Sequence, residues 1–536
     1  MFPYNLNKNP FPSGPTPNLE DAHILGGKRH QEARNSIFSC IEDLVKYSGT
    51  NDKNDKFRII TVIQDVGSGK THLTLNIKIS GVNEKAIISY NDMAQIYPKK
   101  IFSIYQSMIN GFPSDYLYNL KKELLYYIKD RSRTENKIAK KIFRLGFFES
   151  LKGKGIDDKI LQILEDRIEP DLGNIDYIFA DNFSKTDISI IKTIIQNRFE
   201  KSRSLTLIDM INFLSTLSKI NLKLLNKISL YQFDEFDNHE ETLSFMKAII
   251  NAHIPNTILM LILTPSSYLK MASENSSVYD RLEKANYKID LAGSNSFEEI
   301  SDIVLEYIRA YKPHATFSDI QRNELLSQIK ILYEDFDLRN IRSILNIMYS
   351  AFEIASNKKM SIINEQILDE TLRKIYPGLK IKGSIVDISI SDYIKIKNRI
   401  DFTKDIKGEI VNSLRGLINY LHQQNIKCKY EYYLPLEEIV NVVYKDYSGS
   451  TSQITMLLNE TISPNTKSTV LNTTKKTGQD FKYPNITTRD NKTMSINLDR
   501  SKIIDLLFVC DKIHKNLHSI DDNNKILLLA QSINLC

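Results

Sequence analysis

The stretch Phe57-Arg58-Ile59-Ile60-Thr61-Val62-Ile63 is followed, after three residues, by Gly67-Ser68-Gly69-Lys70-Thr71, and this sequence decides the fold. The first part is a short apolar run of strand type, and a helix is expected to begin near Thr71. A polyphosphate must be surrounded by backbone N–H groups, which glycine lets approach closely, and a helix N-terminus adds a favourable dipole. The spacing therefore predicts a phosphate-binding loop between a buried strand and a helix.

Each residue type in this loop has a chemical role. Lys70 is expected to contact the β and γ phosphates of ATP, and Thr71 to ligate Mg²⁺. The common pattern GxxxxGKS/T has glycine at the position of Gln64, so the match is incomplete. ATP and Mg²⁺ are the predicted cofactors. The residues expected to bind the nucleotide here are Val66, Gly67, Ser68, Gly69, Lys70, Thr71 and His72.

An acidic pair follows another apolar run, Leu230 to Phe233. Asp234 is expected to hold Mg²⁺ through water or beside Thr71, and Glu235 to orient and deprotonate the attacking water. Both roles need carboxylates. The alternative interpretation is a solvated acidic turn, since Asp237 follows closely.

Apolar runs and helical segments alternate along the first half of the chain, which predicts a parallel α/β sheet. The strand candidates are residues 57–63, 85–90, 229–233, 257–263 and 287–291. The interval from about 93 to 228 is almost wholly helical and is longer than one crossover needs. It is therefore predicted to be a helical insertion.

The predicted organisation has four parts. Residues 1–20 are rich in Pro and Asn and form an extended arm. Residues 21–295 form the sheet domain with its insertion, and residues 296–376 a helical lid. Residues 377–536 are a mixed α/β domain whose role the sequence does not show, with a polar stretch from Asn459 to Thr493 that is typical of an exposed excursion.

The composition excludes several classes of protein. The 536 residues are 42% hydrophobic and 25% charged, which is typical of a globular protein with several domains. The most apolar stretch, around Leu259–Leu263, is far shorter than the ~20 residues that cross a bilayer, and the N-terminus lacks the order of a signal peptide. Four cysteines without a CxxC pair argue against disulfides and zinc. We expect a cytoplasmic protein with no membrane contact.

Taken together, these motifs resemble those of AAA+ ATPases, nearest to the origin-recognition and initiator-like clade and to related ATPases of mobile and defence elements. The resemblance covers roughly residues 9–375. Asn9-Pro10-Phe11 and the segment from Leu25 to Glu32 resemble the N-terminal part of that family, where a Gly-Arg-x-x-Glu motif lies beside the adenine. Lys28 or Arg29 takes the basic place here.

Three polar positions resemble the family's contacts to the γ-phosphate. Thr264, at the end of a strand, resembles the sensor 1 residue, with a strand-end cap as the alternative. Arg281 lies just before the last strand, where the family places an arginine finger donated to a neighbouring subunit; an exposed salt bridge is the alternative. Arg342 resembles the sensor 2 arginine of the lid, with Arg339 as the other candidate. The resemblance thus implies catalysis by Glu235, Thr264 and Arg281, and nucleotide binding by Arg342.

A basic run lies in the predicted insertion, between residues 121 and 154, where eleven Lys or Arg face four acidic residues and aromatic residues interleave with them. Such a patch can bind phosphates and stack bases, and the net charge of +6 permits this. The alternative is a solvated helix face whose aromatic residues turn into the core. The basic residues are Lys121, Lys122, Lys129, Arg131, Arg133, Lys137, Lys140, Lys141, Arg144, Lys152 and Lys154; the aromatic ones are Tyr126, Tyr127, Phe143, Phe147 and Phe148.

Two functions are compatible with these patterns. The first is an ATP-hydrolysing AAA+ protein, a homo- or hetero-oligomer through the trans arginine, whose nucleotide cycle controls assembly on nucleic acid or its remodelling. The second is a signalling or defence NTPase switch that senses a protein partner and does not act on DNA. A structural adaptor without hydrolysis is disfavoured, because Lys70, Thr71, Asp234 and Glu235 are all present.

Overall fold

The structure is a computed structural model of the chain. Three predicted features lie partly outside the residues it describes: the N-terminal arm, the basic run, with Lys137, Phe147 and Phe148, and the polar stretch from 459 to 493, nearly all of which is outside. The described residues are 2–14, 21–48, 56–131, 140–145, 155–197, 205–311, 318–402, 406–426, 439–445, 451–457, 493–515, 520–533 and 535.

A sheet of five parallel strands forms the centre of the first half of the chain, in the order β2-β3-β4-β1-β5. Nearly every residue of β1 to β4 is buried, as expected for strands covered on both faces. The predicted α/β class and parallel sheet are confirmed. The strands are β1 Phe57–Gln64, β2 Ala86–Asp92, β3 Ile228–Asp234, β4 Thr257–Leu263 and β5 Tyr287–Leu291.

The register brings the chemically important strand ends together. β1 and β4 pair up to Ile63 and Leu263, and β3 pairs with the other side of β4, with Phe233 opposite Leu261. All three strands run in the same direction. Asp234 at the end of β3 and Thr264 just after β4 therefore lie along one edge of the sheet, beside the glycine loop.

Successive residues of β1 to β4 enter two different apolar cores, as the pleat requires. Ile258 and Met260 of β4 pack in one core, with α1 (Lys28–Tyr47) and α2 (Lys70–Ile79). Leu259 and Leu261 face the other core. That second core is shared with the helices between β2 and β3 and with three helices that follow β3, α9 (Glu240–Ala252), α10 (Pro265–Glu274) and α11 (Ser276–Glu283).

The described residues between β2 and β3 contain helices and no strand, as the sequence predicts for an insertion. Two of these helices begin with reciprocal capping boxes, at Ser184 with Asp187 and at Thr206 with Asp209. Their apolar faces join the second core directly. The helices are α3 Ile101–Asn110, α4 Tyr116–Arg131, α5 Gly155–Leu164, α6 Asp176–Phe179, α7 Lys185–Ile195 and α8 Leu207–Leu225.

Helices also fill the predicted lid. A single π-helical turn, Ile331–Asp335, follows the second of them. They are α12 Phe297–Ala310, α13 Asp319–Lys330, α14 Ile341–Asn357 and α15 Glu365–Ile375. None of the helices in the described ranges is long and apolar enough to cross a membrane.

The chain divides into two compact units. The first, called the nucleotide unit below, consists of Pro10–Pro313 and Arg339–Asn346. It contains the sheet, the insertion, α12 and the first turn of α14. The second unit consists of Met1–Asn9, His314–Leu338 and Ile347–Cys536. The predicted lid, residues 296–376, is divided between the two units. The predicted domain boundaries stay predictions.

The C-terminal part of the second unit is mixed α/β, as predicted. A three-stranded sheet pairs β6 with β7 antiparallel and with β8 parallel. Asp505 is buried and accepts hydrogen bonds from the Ser384 hydroxyl and the Ile385 N–H, and burial raises its pKa. The elements are α16 Ile390–Phe402, α17 Ile406–Gln423, β6 Ile439–Lys445, β7 Thr451–Leu457, β8 Thr493–Leu498, α18 Arg500–His514 and α19 Ile520–Ser532.

Candidate nucleotide-binding site

The glycine loop has the backbone that its sequence requires. Gly67 and Gly69 have φ angles of +76° and +105°, in the left-handed region that side chains disfavour. A Cβ atom on Gly67 would also lie 2.5 Å from Nδ2 of Asn340, and one on Gly69 would lie 3.3 Å from Nε2 of His30. The loop leads directly into α2 at Lys70. Its backbone N–H groups and the N-terminus of α2 thus form a cradle for an anion.

Lys70 is the buried cation of this cradle, with 4% of its surface exposed. Its Nζ atom makes no hydrogen bond to any described residue. The Oε1 atom of Glu235 lies 3.3 Å away and balances the charge. A buried ammonium without hydrogen bonds is costly, so this position favours a ligand whose oxygens can accept its three N–H groups. Phosphate oxygens meet that need.

Thr71 and Asp234 meet at the predicted metal position. Asp234 is 1% exposed and accepts hydrogen bonds from the Thr71 hydroxyl, from the Glu235 N–H (2.9 Å) and from the Tyr90 hydroxyl (3.2 Å). Burial raises the pKa of its carboxyl, against the effect of these hydrogen bonds. A hydroxyl and a carboxylate in contact are the hard oxygen ligands that Mg²⁺ prefers, so the residues present fit this ion.

Glu235 differs from its neighbour in every respect that bears on its role. Its backbone is left-handed, with φ of +50°, and its side chain is 42% exposed. The next residue, Phe236, is buried and its N–H donates to Ile262 of β4, which anchors the turn. Asp234 therefore points into the protein, whereas Glu235 reaches Lys70 and water. A uniformly solvated acidic turn does not describe this pair.

A cleft extends from the glycine loop, with about 810 Å³ of empty space when the open solvent at its mouth is included. Its lining contains two chemical sets of residues, both from the nucleotide unit. The polar set can hold phosphates, and the apolar set can hold a flat base. The polar set is Gly67, Ser68, Gly69, Lys70, Thr71, Glu235 and Arg342; the apolar set is Ile24, Leu25, Ile303, Tyr307, Ile341 and Leu345.

The parallel sheet brings two features together in one site. They are the glycine loop after β1 and the acidic pair at the end of β3. The fold is an α/β fold in which a glycine loop connects a strand of a parallel sheet to a helix. No protein-family model matches the chain, and no curated protein matches its sequence.

Solved structures similar to it include the following two. CDC6P from Pyrobaculum aerophilum is 11% identical, with 76% of this chain and 80% of that chain covered and a TM-score of 0.36. The Drosophila ORC bound to DNA is 10% identical, with 77% and 73% covered and a TM-score of 0.30.

The N-terminal segment that resembles the family's adenine-side motif lines the cleft through Ile24, Leu25, Gly26 and His30. Its basic residue Arg29 lies elsewhere, since its guanidinium donates to the Ala292 carbonyl at 3.1 Å. The segment therefore contributes apolar side chains and backbone to the cleft, while its arginine ties α1 to the chain after β5.

Sequence reasoning missed a buried network behind the loop. The side-chain amide of Gln64, at the position where the P-loop pattern has glycine, donates to the Ser68 carbonyl at 2.9 Å and contacts Nε2 of His30 at 2.8 Å. The other ring nitrogen of His30 lies 3.1 Å from Oε1 of Glu299 on α12. Gln64 thus stabilises the glycine loop from the position where the P-loop pattern has glycine. This departure from the pattern is the sequence signal that could have pointed to the network.

Two cleft residues on α12, Ile303 and Tyr307, were also missed. Helical periodicity alone assigns them to a core face, because apolar residues at this spacing are usually structural. The ring of Tyr307 lies 5.8 Å from that of Phe11 and 6.3 Å from that of His72. His72 itself donates to the Ile24 carbonyl, and burial lowers its pKa, so its imidazole is neutral at pH 7. The rings of Tyr307 and His72 line the cleft.

The three γ-phosphate candidates differ in position. Arg342 lines the cleft, whereas Arg339 is not among its described lining residues. The Thr264 hydroxyl accepts from the Ser267 N–H at 3.1 Å and caps α10, as its alternative interpretation expects. Arg281 is partly exposed on α11, and its guanidinium donates to the Lys247 carbonyl at 3.5 Å. The sensor and finger roles of Thr264 and Arg281 stay predictions.

The described part of the basic run is divided between core and surface. Lys121 is 3% exposed and its Nζ atom donates to Ile163 and Asp166 of the insertion, so it is structural. Phe143 is fully buried, and Tyr126 and Tyr127 pack against the same core. The three described aromatic residues, Tyr126, Tyr127 and Phe143, therefore follow the alternative interpretation, in which they turn into the core. Four basic residues in the described part of the run are exposed, Arg131, Lys140, Lys141 and Arg144.

Proposed function

We propose that the chain binds and hydrolyses ATP as an AAA+ protein, and that its nucleotide cycle controls assembly on nucleic acid or its remodelling. One observation supports this most. Lys70 is a buried ammonium without a hydrogen bond to any described residue, held between a glycine cradle and the contact of Thr71 with Asp234. Placing this charge there has no structural benefit, since a buried charge is stabilising only with full hydrogen bonding. A polyphosphate supplies that bonding.

The residues of the site divide the work of hydrolysis. Mg-ATP, when bound, supplies the phosphoryl group that is transferred to water. Lys70 exchanges its contact with Glu235 for phosphate oxygens, while Thr71 and Asp234 hold the ion. Glu235, released from Lys70 and 42% exposed, can then orient a water and accept its proton. Arg342 adds positive charge from the first turn of α14.

The direct test is ATP turnover by the purified chain with Mg²⁺, measured with and without duplex and single-stranded DNA at several salt concentrations. Turnover that DNA stimulates, with a steep dependence on salt, supports the proposal. Turnover that is indifferent to DNA but rises with a protein partner supports the signalling switch. Absence of any Mg-dependent turnover by the assembled protein rejects ATP hydrolysis.

The signalling switch is kept as a second function because of the insertion. Lys121 forms an ion pair with Asp166 and Lys129 with Asp157, so these two residues of the basic run serve the fold of the insertion. A helical insertion stabilised in this way can present a surface to a protein as readily as to a nucleic acid.

Replacing Lys140, Lys141 and Arg144 together by Gln distinguishes the two functions. If they contact phosphates, the variant binds DNA more weakly, and the slope of log affinity against log salt becomes shallower by roughly 2 to 3, since each contact contributes about 0.9. Fluorescence anisotropy titrations across salt concentrations measure this. The matched control replaces three exposed lysines elsewhere, Lys223, Lys284 and Lys374. An equal slope in both variants leaves the run as a solvated face.

Arg281 is the candidate for a cation donated in trans. Positive charge that arrives on assembly stabilises the transferring phosphoryl group, so Arg281→Ala should bind ATP normally and hydrolyse it slowly. Mixing this variant with Glu235→Gln should restore part of the activity, because some interfaces then pair an intact Glu235 with an intact Arg281. Wild-type turnover by Arg281→Ala over a range of protein concentrations would show that Arg281 is a surface arginine with no role in hydrolysis.

A further inference from the structure

The side chain of Asn340 joins two parts of the site that are 270 residues apart in sequence. Its Nδ2 atom donates to the Val66 carbonyl of the glycine loop at 3.1 Å. Its Oδ1 atom accepts from the Arg342 N–H at 2.9 Å and approaches the Ser343 N–H at 3.4 Å, which caps the first turn of α14. Both parts belong to the nucleotide unit. One amide therefore serves the loop with its donor and the helix with its acceptor.

The backbone reinforces this connection. The Arg342 N–H also lies 3.4 Å from the Gly67 carbonyl. A Cβ atom on Gly67 would lie 2.5 Å from Nδ2 and 2.9 Å from Oδ1 of Asn340. Glycine at 67 is thus required by the approach of Asn340 as well as by the positive φ of the loop. Any movement of the loop at Val66 and Gly67 is transmitted to the helix turn that carries Arg342.

We propose that Asn340 is a positioning residue, which couples the conformation of the phosphate loop to the placement of Arg342 at the bound phosphates. The inference rests on the proposed ATP site. In its binding conformation the loop presents the Val66 and Gly67 carbonyls to the first turn of α14. Asn340 then holds the N-terminus of α14, and with it the Arg342 side chain, at the cleft. Helix dipole and guanidinium act on the phosphates together only while this hydrogen bond is formed.

The variant Asn340→Ser tests the coupling. Serine is as good an N-cap as asparagine but is too short to reach the Val66 carbonyl, so α14 stays capped while the connection to the loop is lost. The dissociation constant for ATP, measured by calorimetry with Mg²⁺, should rise roughly three- to tenfold, as for one lost hydrogen bond. The melting temperature should change little. Asn364→Ser, at the cap of α15, is the matched control and should bind ATP like the wild type.

A double-mutant cycle separates positioning from a merely structural effect. Arg342→Ala should weaken ATP binding in the wild-type background, and at least ~3-fold less in the Asn340→Ser background, where Arg342 is no longer held in place. Asn340→Ser with wild-type ATP affinity overturns the inference. So do independent effects of the two substitutions. Lys70→Ala is measured alongside: if the wild type itself binds no ATP, or Lys70→Ala binds it equally well, the proposed function fails, whereas failure of the cycle alone removes only the role of Asn340.

Discussion

Lys70→Ala is expected to lower the affinity for ATP by at least ~10²-fold, because several hydrogen bonds from a charged group to phosphate are lost together. By contrast, the substitution should not destabilise the folded protein. Lys70 is 4% exposed and has no hydrogen bond within the described structure, so removing a buried charge should leave the melting temperature unchanged or raise it. Calorimetric titration and thermal unfolding measure the two effects on the same sample.

The control for this prediction lies on the same helix. Lys78, two turns further along α2, packs over the ring of Tyr90 with its Nζ atom 5.5 Å from the ring centroid, and it does not belong to the described lining of the cleft. Lys78→Ala should therefore bind ATP like the wild type. Equal ATP affinity of Lys70→Ala and Lys78→Ala would remove the assignment of the phosphate loop, whatever the stability of either protein.

Glu235→Gln should bind ATP and hydrolyse it at least ~10²-fold more slowly than the wild type. Glutamine keeps the size of the side chain and can still orient water, but it cannot accept the proton. ATP binding should be retained, because phosphate oxygens take the place of Glu235 as the partner of Lys70 when ATP is bound. Single-turnover hydrolysis at saturating ATP, with a separate binding titration, measures chemistry apart from affinity.

Asp237→Asn is the matched control for Glu235→Gln. Asp237 is a carboxylate two residues further along the same turn, and it forms an ion pair with Lys99. If a carboxylate in this turn acted only through its general negative charge, both variants would lose activity to a similar extent. A general base at Glu235 predicts near wild-type turnover for Asp237→Asn. Wild-type turnover by Glu235→Gln would move the catalytic role to another residue.

The chemistry of the site could be predicted where it depends on residues close together in sequence. Gly67, Gly69, Lys70 and Thr71 are required by the geometry of a phosphate between a strand and a helix, and the structure has that strand, loop and helix. Burial of Asp234 was predictable in the same way, because it ends an apolar run. Such runs also predicted all five strands to within about two residues.

Contacts between distant segments could not be predicted. The basic run shows why. The sequence does not distinguish Lys121 from Lys140, yet Lys121 is buried and paired with Asp166, whereas Lys140 is exposed. Thr264 shows the same limit, since its position after β4 fits a γ-phosphate contact while its hydroxyl caps α10. Whether a charge or a hydroxyl is free depends on what packs against it.

The sequence by itself determined the parallel sheet, the phosphate loop and the acidic pair, because each follows from local periodicity or from a short motif whose atoms are neighbours along the chain. Only the tertiary structure decided that Gln64 braces the loop through His30, that Tyr307 lines the cleft, and that Asn340 connects the loop to α14. Those contacts join segments tens to hundreds of residues apart, and their partners are chosen by packing and by the need of each buried polar group for a hydrogen bond.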